Sequence, residues 1–168
     1  NANRIYRHMF ETFPRMIDPS SPLCRLISTT IHFVRKPRPE TLLRNPWRYR
    51  WGSDDFHYAW LARSFGGFYP AMGQFESCAR GRFELVKTVD GTLDYHLTSE
   101  EWLRRIRAAL RTRAGLAMLL NSLPLMVRQP RQTLTMLFTM LVSESWNWQF
   151  RTASPPTRLL RQTWQFRA

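Results

Sequence analysis

Lysine and acidic residues are the scarce components of this chain. Of its 25 basic residues only Lys36 and Lys87 are lysine, which leaves 23 arginines against 12 carboxylates and a net charge of +13. That balance predicts an anionic partner, whether nucleic acid, phospholipid headgroups or acidic protein surfaces, without choosing among them. Cysteine is limited to Cys24 and Cys78. Two are too few for a disulfide framework and neither has metal-ligand spacing, so two buried thiols in a reducing compartment are expected. Long apolar runs are missing too. The two longest, Leu116 to Val127 and Leu134 to Val142, are too short for a membrane span and are interrupted by Asn121, Pro124, Arg128 and Pro130, which excludes a crossing but leaves a role at the membrane surface open. His8, His32, His57 and His96 show no metal spacing, so no metal is proposed. Ser143, Ser145 and Ser154 have no nucleophile-elbow context, which leaves a hydrolase nothing to stand on.

What is present suits a folded domain: 168 residues with 43% hydrophobic content can bury a core. The charge is uneven. Residues 1–52 carry +7, residues 53–100 carry −3 and residues 101–168 carry +9, so two basic flanks enclose a mildly acidic middle. Arginine pairs bidentately with phosphate or carboxylate and stacks on rings, which suits permanent interfaces. A chain that opens on Asn1 with this arginine-rich, lysine-poor composition fits an organelle-targeted precursor trimmed upstream.

Ile5, Met9 and Phe13 recur every four residues and predict a helix over Asn1 to Phe13, ending before Pro14. After a loop through Asp18 to Pro22, the β-branched run Leu26 to Val34 predicts a buried strand. Residues 35–52 carry three prolines and alternate arginine with aromatic rings, and predict an ordered docking arm over the surface. Short helices are expected over Asp54 to Arg63 and Ala71 to Ala79, then a strand over Phe83 to Val89. Asp90-Gly91 predicts a tight hairpin with a second strand near Thr92 to His96. Thr98 and Glu101 then form a capping box that opens an amphipathic helix through Trp102, Ile106 and Leu110 with a basic outer face. Helices over Leu116 to Leu123, roughly Thr133 to Gln149, and a last one opened by Pro155-Pro156-Thr157 complete the expectation.

The turn Ser64-Phe-Gly-Gly-Phe-Tyr-Pro70, the strand from Phe83, and Asp94-Tyr95-His-Leu-Thr98-Ser-Glu-Glu-Trp102 stand in an order that resembles the C-terminal part of cyclopropane-fatty-acid synthase-like, class I S-adenosylmethionine-dependent methyltransferases. Upstream, Leu26 to Ile31 resembles that family's fifth core strand. Downstream, Phe138 to Leu141 with Phe150-Arg151, and Leu160 to Arg167, resemble its late helix and final amphipathic segment. The resemblance implies an α/β fold: a partial Rossmann-like region over residues 1–113, comprising the last strands with a β-hairpin, followed by a helical C-terminal region over 114–168.

The cofactor half is not in this stretch. A class I enzyme needs a glycine-rich loop after its first strand and a carboxylate ending its second to hold the cofactor; Gly66-Gly67 and Gly73 do not make such a loop, so no cofactor is expected. The resemblance also implies a bound bicarbonate acting as base, held by a histidine, a glutamate and the tyrosine of Asp-Tyr. Only the tyrosine is kept, as Tyr95, with Thr29 and Val86 at the other two positions, and neither can supply the required hydrogen bonds and charge. His32 and Glu84 lie nearby in sequence, but neither substitutes without a register change.

These readings make the chain a degenerate methyltransferase piece kept for binding: a non-catalytic accessory subunit of a larger, membrane-associated assembly, with a mitochondrial respiratory complex as the expected setting. The residues expected at its interfaces are Arg35, Lys36, Arg38, Trp47, Arg48, Tyr49, Arg50 and Trp51 in the arm, Arg104, Arg107 and Arg111 on the basic helix, and Trp146 and Trp148. Other protein subunits are the expected partners, then anionic phospholipid, with RNA behind both. One alternative is the substrate-side half of a split lipid methyltransferase, in which Tyr95 would be catalytic. Another is an RNA-contacting subunit of a ribosome-like particle, with bases stacked on the Trp47 to Trp51 arm.

Overall fold

The computed structural model describes residues 2–18, 20–21, 24–65, 69–131, 133–134 and 143–167. It is a mixed α/β structure with a three-stranded antiparallel sheet. In chain order its helices are α1 (Ala2–Thr12), α2 (Pro39–Leu43), α3 (Asp54–Phe65), α4 (Gln74–Ala79), α5 (Thr92–Leu110), α6 (Arg113–Asn121), α7 (Leu123–Arg128) and α8 (Glu144–Trp148). The strands are β1 (Arg25–Phe33), β2 (Phe83–Asp90) and β3 (Thr157–Phe166). Two compact units emerge: Asn1–Lys36, Phe68–Leu93 and Pro155–Ala168 make the first, Pro37–Gly67 and Asp94–Ser154 the second.

In the first unit β3 lies between β1 and β2 and runs antiparallel to both, so the two outer strands are parallel to each other. Side chains alternate between faces along each strand. Leu26, Trp164 and Leu85 share a row on the inner face, where they meet α1 and α4; Ile27, Thr163 and Lys87 form the next row on the outer face. Phe10 sits at the centre of the core, with the rings of Phe13, Phe75, Phe83 and Trp164 between 5.3 and 5.9 Å away in edge-on or tilted contacts, the geometries that aromatic quadrupoles favour. The buried face of α1 is therefore Tyr6 and Phe10, continued by Phe13 in the turn that follows, not the expected stripe of Ile5, Met9 and Phe13, and Ile5 is 62% exposed. Larger rings bury more apolar area than an isoleucine, and the helix turns to place them inward.

Two expectations fail together. Residues 92–96 do not form a second hairpin strand, because Gly91 lacks the positive φ of a tight hairpin. Instead Asp90 Oδ1 accepts the Thr92 backbone N–H at 2.9 Å and the Thr92 hydroxyl, which starts α5 at Thr92. The Thr92 hydroxyl oxygen in turn accepts the Leu159 N–H at 3.1 Å. The partner of β2 is consequently β3, drawn from the stretch expected to be a final helix. Its buried Leu160, Gln162 and Trp164 follow a period of two, the period of a strand. The C-terminal region is thus not wholly helical.

Smaller shifts accompany these. The expected capping box lies inside α5, where Thr98 donates back to the Asp94 carbonyl at 2.8 Å. Strand β1 is only half covered, with Ile27 64% exposed. The run expected as one helix from Leu116 to Leu123 is divided between α6 and α7 at Ser122. Of the helix expected over Thr133 to Gln149, residues 135–142 lie outside the described residues; its end is helical as α8.

In the second unit α3 is nearly all buried from Phe56 to Leu61. Its start is fixed by the Ser53 hydroxyl, which accepts the Phe56 N–H at 3.2 Å, an N-cap of the usual serine kind. Trp148 of α8 packs on it, with ring centroids 4.7 Å from His57 and 5.2 Å from Tyr58. Among the described residues no helix is long and apolar enough to cross a membrane.

Candidate functional site

The arm is anchored. Prolines begin α2 and the short turn Pro46–Arg48, and Asn45 Oδ1 accepts the Trp47 N–H at 3.2 Å. That turn aims Trp47 and Trp51 at α3: they stack on each other at 6.0 Å with a 22° interplanar angle, and Trp47 lies edge-on to Trp60 at 5.6 Å while Trp51 lies 4.8 Å from Phe56. Each tryptophan is still a little over half exposed, at 54% and 55%. Arg38, Arg48 and Arg50 are exposed around this pair and Tyr49 is half-buried. Arg35 and Lys36, also exposed, belong to the first unit.

On α5, Arg104, Arg107 and Arg111 follow a three-then-four spacing, so one stripe carries all three. With Glu100, Leu103, Ala108 and Asn147 they line an open groove of about 580 Å³. Arg104 grips Glu101 with two hydrogen bonds of 2.6 and 2.7 Å, and Arg105 adds a third at 2.7 Å. The hydrogen bonds from Arg104 and then Arg105 hold the Glu101 carboxyl down to about 2. Arg107 pairs with Glu144 and ties α5 to α8. Arg111 has no ion pair among the described residues. Arg104 and Arg107 are thus committed to carboxylates of this chain, and Arg111 is the groove's guanidinium that an outside carboxylate or phosphate could engage.

The remaining expected residues are built into packing. Trp146 and Trp148 are half-buried. Trp148 is stacked on His57, with the Arg151 guanidinium 5.2 Å from its ring centre and Arg151 also reaching Asp54 at 3.4 Å. Tyr95 is enclosed by Trp102, Trp146 and Phe150 at 6.0, 6.1 and 5.0 Å. Thr29 is exposed on β1, and Val86 is the unpaired residue of a β-bulge between Leu85 and Lys87, 55% exposed. A bulge twists an edge strand and re-aims its side chains.

Two buried polar groupings escape a reading of the sequence. In the second unit, His57 Nδ1 and Ser145 Oγ share a hydrogen bond of 2.8 Å, with Ser145 only 1% exposed. A histidine beside a serine is the start of a nucleophilic pair, yet a substrate could not reach that oxygen. Burial pushes the His57 pKa down. In the first unit, the fully buried His32 lies edge-on to Phe75 at 5.2 Å, and Gln162 donates to Glu76 Oε1 at 2.8 Å. His57 and Ser145 are 88 positions apart, so no motif spacing could have paired them. Among the described residues no group of three histidine, cysteine or acidic side chains is placed to hold a metal. The chain matches no protein-family model, and no curated protein matches it.

Proposed function

We propose that this chain is a non-catalytic structural subunit of a larger membrane-associated assembly, a mitochondrial respiratory complex being the expected setting, and that its first unit derives from the rear of a lipid methyltransferase. The strand arrangement supports the ancestry. Doubly wound sheets often carry an antiparallel strand on an otherwise parallel sheet. Here β1 and β2 run parallel with β3 reversed between them.

The observation that carries the subunit reading is the state of that sheet. Its outer face leaves Ile27 and Val89 64% and 45% exposed, and among the described residues no strand pairs on the free side of β2. Open ladder groups beside exposed apolar side chains form a template that a neighbouring chain completes. The residues standing where the family holds its carbonate, Thr29 and Val86, are uncharged and exposed, and Tyr95 is spent on ring packing.

Two measurements test this. A photoreactive residue at Ile27 or Val89, in the assembly isolated from cells, is expected to cross-link to one defined polypeptide, and reaction with solvent alone would defeat the reading. Calorimetry with S-adenosylmethionine is expected to show no binding. Binding accompanied by methyl transfer to phospholipid would establish the split enzyme with Tyr95 at its centre.

A further inference from the structure

Among the described residues, 111–131 hold a dense run of exposed apolar side chains. Leu116, Met118 and Leu120 on α6 are 56%, 48% and 55% exposed, and Leu123, Leu125 and Val127 on α7 are 49%, 58% and 83% exposed. The two helices pack on one another through the turn at Ser122, whose N–H reaches the Met118 and Leu119 carbonyls. Such a concentration is unusual on a soluble face, where large apolar residues are scattered singly.

The charge around it has one sign. From Trp102 to Ser143 the sequence contains seven arginines and no acidic residue. All seven are exposed, and four of them flank the apolar run: Arg111 and Arg113, the first residue of α6, precede it, and Arg128, the last residue of α7, and Arg131 follow it. The exposed apolar residues are all aliphatic or thioether side chains, without the tryptophan and tyrosine anchors that mark protein-binding centres. Helices of nine and six residues reach only about 14 and 9 Å, far short of a bilayer. Short apolar helices rimmed by arginine fit the plane of the membrane interface, with aliphatic side chains at the acyl boundary and guanidiniums at the phosphates.

We propose that α6 and α7, with Arg111, Arg113, Arg128 and Arg131, form a docking surface for an acidic-phospholipid bilayer. This rests on the membrane-associated part of the proposed function and names the surface and the lipid chemistry; it is adsorption onto headgroups, not a substrate site. The strand template on the sheet is a separate contact. Cross-linking from Ile27 can therefore succeed or fail independently of lipid binding.

The test is flotation of the full chain with vesicles of phosphatidylcholine alone and of phosphatidylcholine mixed with phosphatidylglycerol. The chain is expected to float with the mixed vesicles only and to be released by salt. Each Arg→Gln change at 111, 113, 128 or 131 is expected to weaken binding about fivefold. The pair Leu120→Glu and Val127→Glu, at exposed positions where folding is not at stake, is expected to abolish it while circular dichroism stays unchanged. Equal binding to neutral vesicles, no binding to either, or indifference to both sets of substitutions would overturn the proposal. So would sedimentation showing that Leu120 and Val127 instead join two copies of the chain.

Discussion

The His57 imidazole and the Ser145 hydroxyl meet at 2.8 Å inside the second unit, His57 8% and Ser145 1% exposed. Desolvation holds the His57 pKa below its ordinary 6.5, so the ring is neutral in the folded chain at neutral pH. The unfolded chain then takes up its proton first as the medium turns acid. Stability from this source is full above 6.5 and falls as pH drops below it. His32, buried in the first unit and shifted the same way by desolvation, adds to the slope. A series of urea melts from neutral to mildly acid pH is expected to show the decline, and His57→Gln to flatten part of it. Ser145→Ala, which strands a buried ring nitrogen, is expected to cost about 1–3 kcal/mol. A serine-directed fluorophosphonate is expected to leave the folded chain unlabelled; labelling of Ser145 would turn a packing contact into a nucleophile.

Gly91 separates the expected turn from the observed one. A tight Asp-Gly hairpin needs glycine at a positive φ, where alanine is strained. Gly91 does not take that backbone, and an added Cβ would meet Leu159 Cδ2 at an ordinary 3.6 Å. Gly91→Ala is therefore expected to be neutral or to stabilise by up to about 1 kcal/mol through the unfolded chain. Gly73 and Gly81, at φ of +75° and +84°, are expected to lose about 1–2 kcal/mol on the same substitution. Thermal melts of the three variants decide it, and a large loss at Gly91 alone would restore the hairpin.

That contrast shows what the sequence could carry. The strands at Leu26 and Phe83 were legible because β-branched and alternating residues fit a pleated surface. Helix α1 was legible from its spacing, though not which stripe it buries, since the choice between Ile5 and Phe10 depends on Phe75 and Trp164 arriving from distant positions. The last strand is not legible in this way, because Pro155-Pro156 is an equally good helix opening and only pairing with β1 and β2 selects the extended form. The arginine stripe on α5 followed from spacing alone. The half-buried packing of Trp148 did not, because its neighbour His57 lies on another helix.

Phe10 and Ile5 lie five positions apart on α1 and separate its two faces. Truncating Phe10, whose ring touches four others, is expected to cost about 3–5 kcal/mol by chemical denaturation. Ile5→Ala, at an exposed position, is expected to stay within about 0.5 kcal/mol. The reverse ranking would return the core to the four-residue Ile5, Met9, Phe13 stripe.

Trp47 and Trp51 decide between protein and RNA as the arm's partner. Their inner sides are already occupied by Phe56 and Trp60, so removing either ring should be felt by the fold itself, by about 0.5–1.5 kcal/mol for the lost aromatic pairing. A base-stacking platform would instead keep its value for the ligand: single-stranded RNA would quench tryptophan fluorescence, and binding would fall steeply with salt as phosphates released their counterions. The stability loss is expected, and quenching by an oligoribonucleotide is not. Arg48 and Arg50 flank the pair in the open, so Arg→Gln changes there should leave the melt within about 0.5 kcal/mol, as for other unburied side chains. Should those same changes abolish a salt-sensitive RNA affinity, the arm would be a nucleic-acid contact and the protein-subunit reading of it would fall.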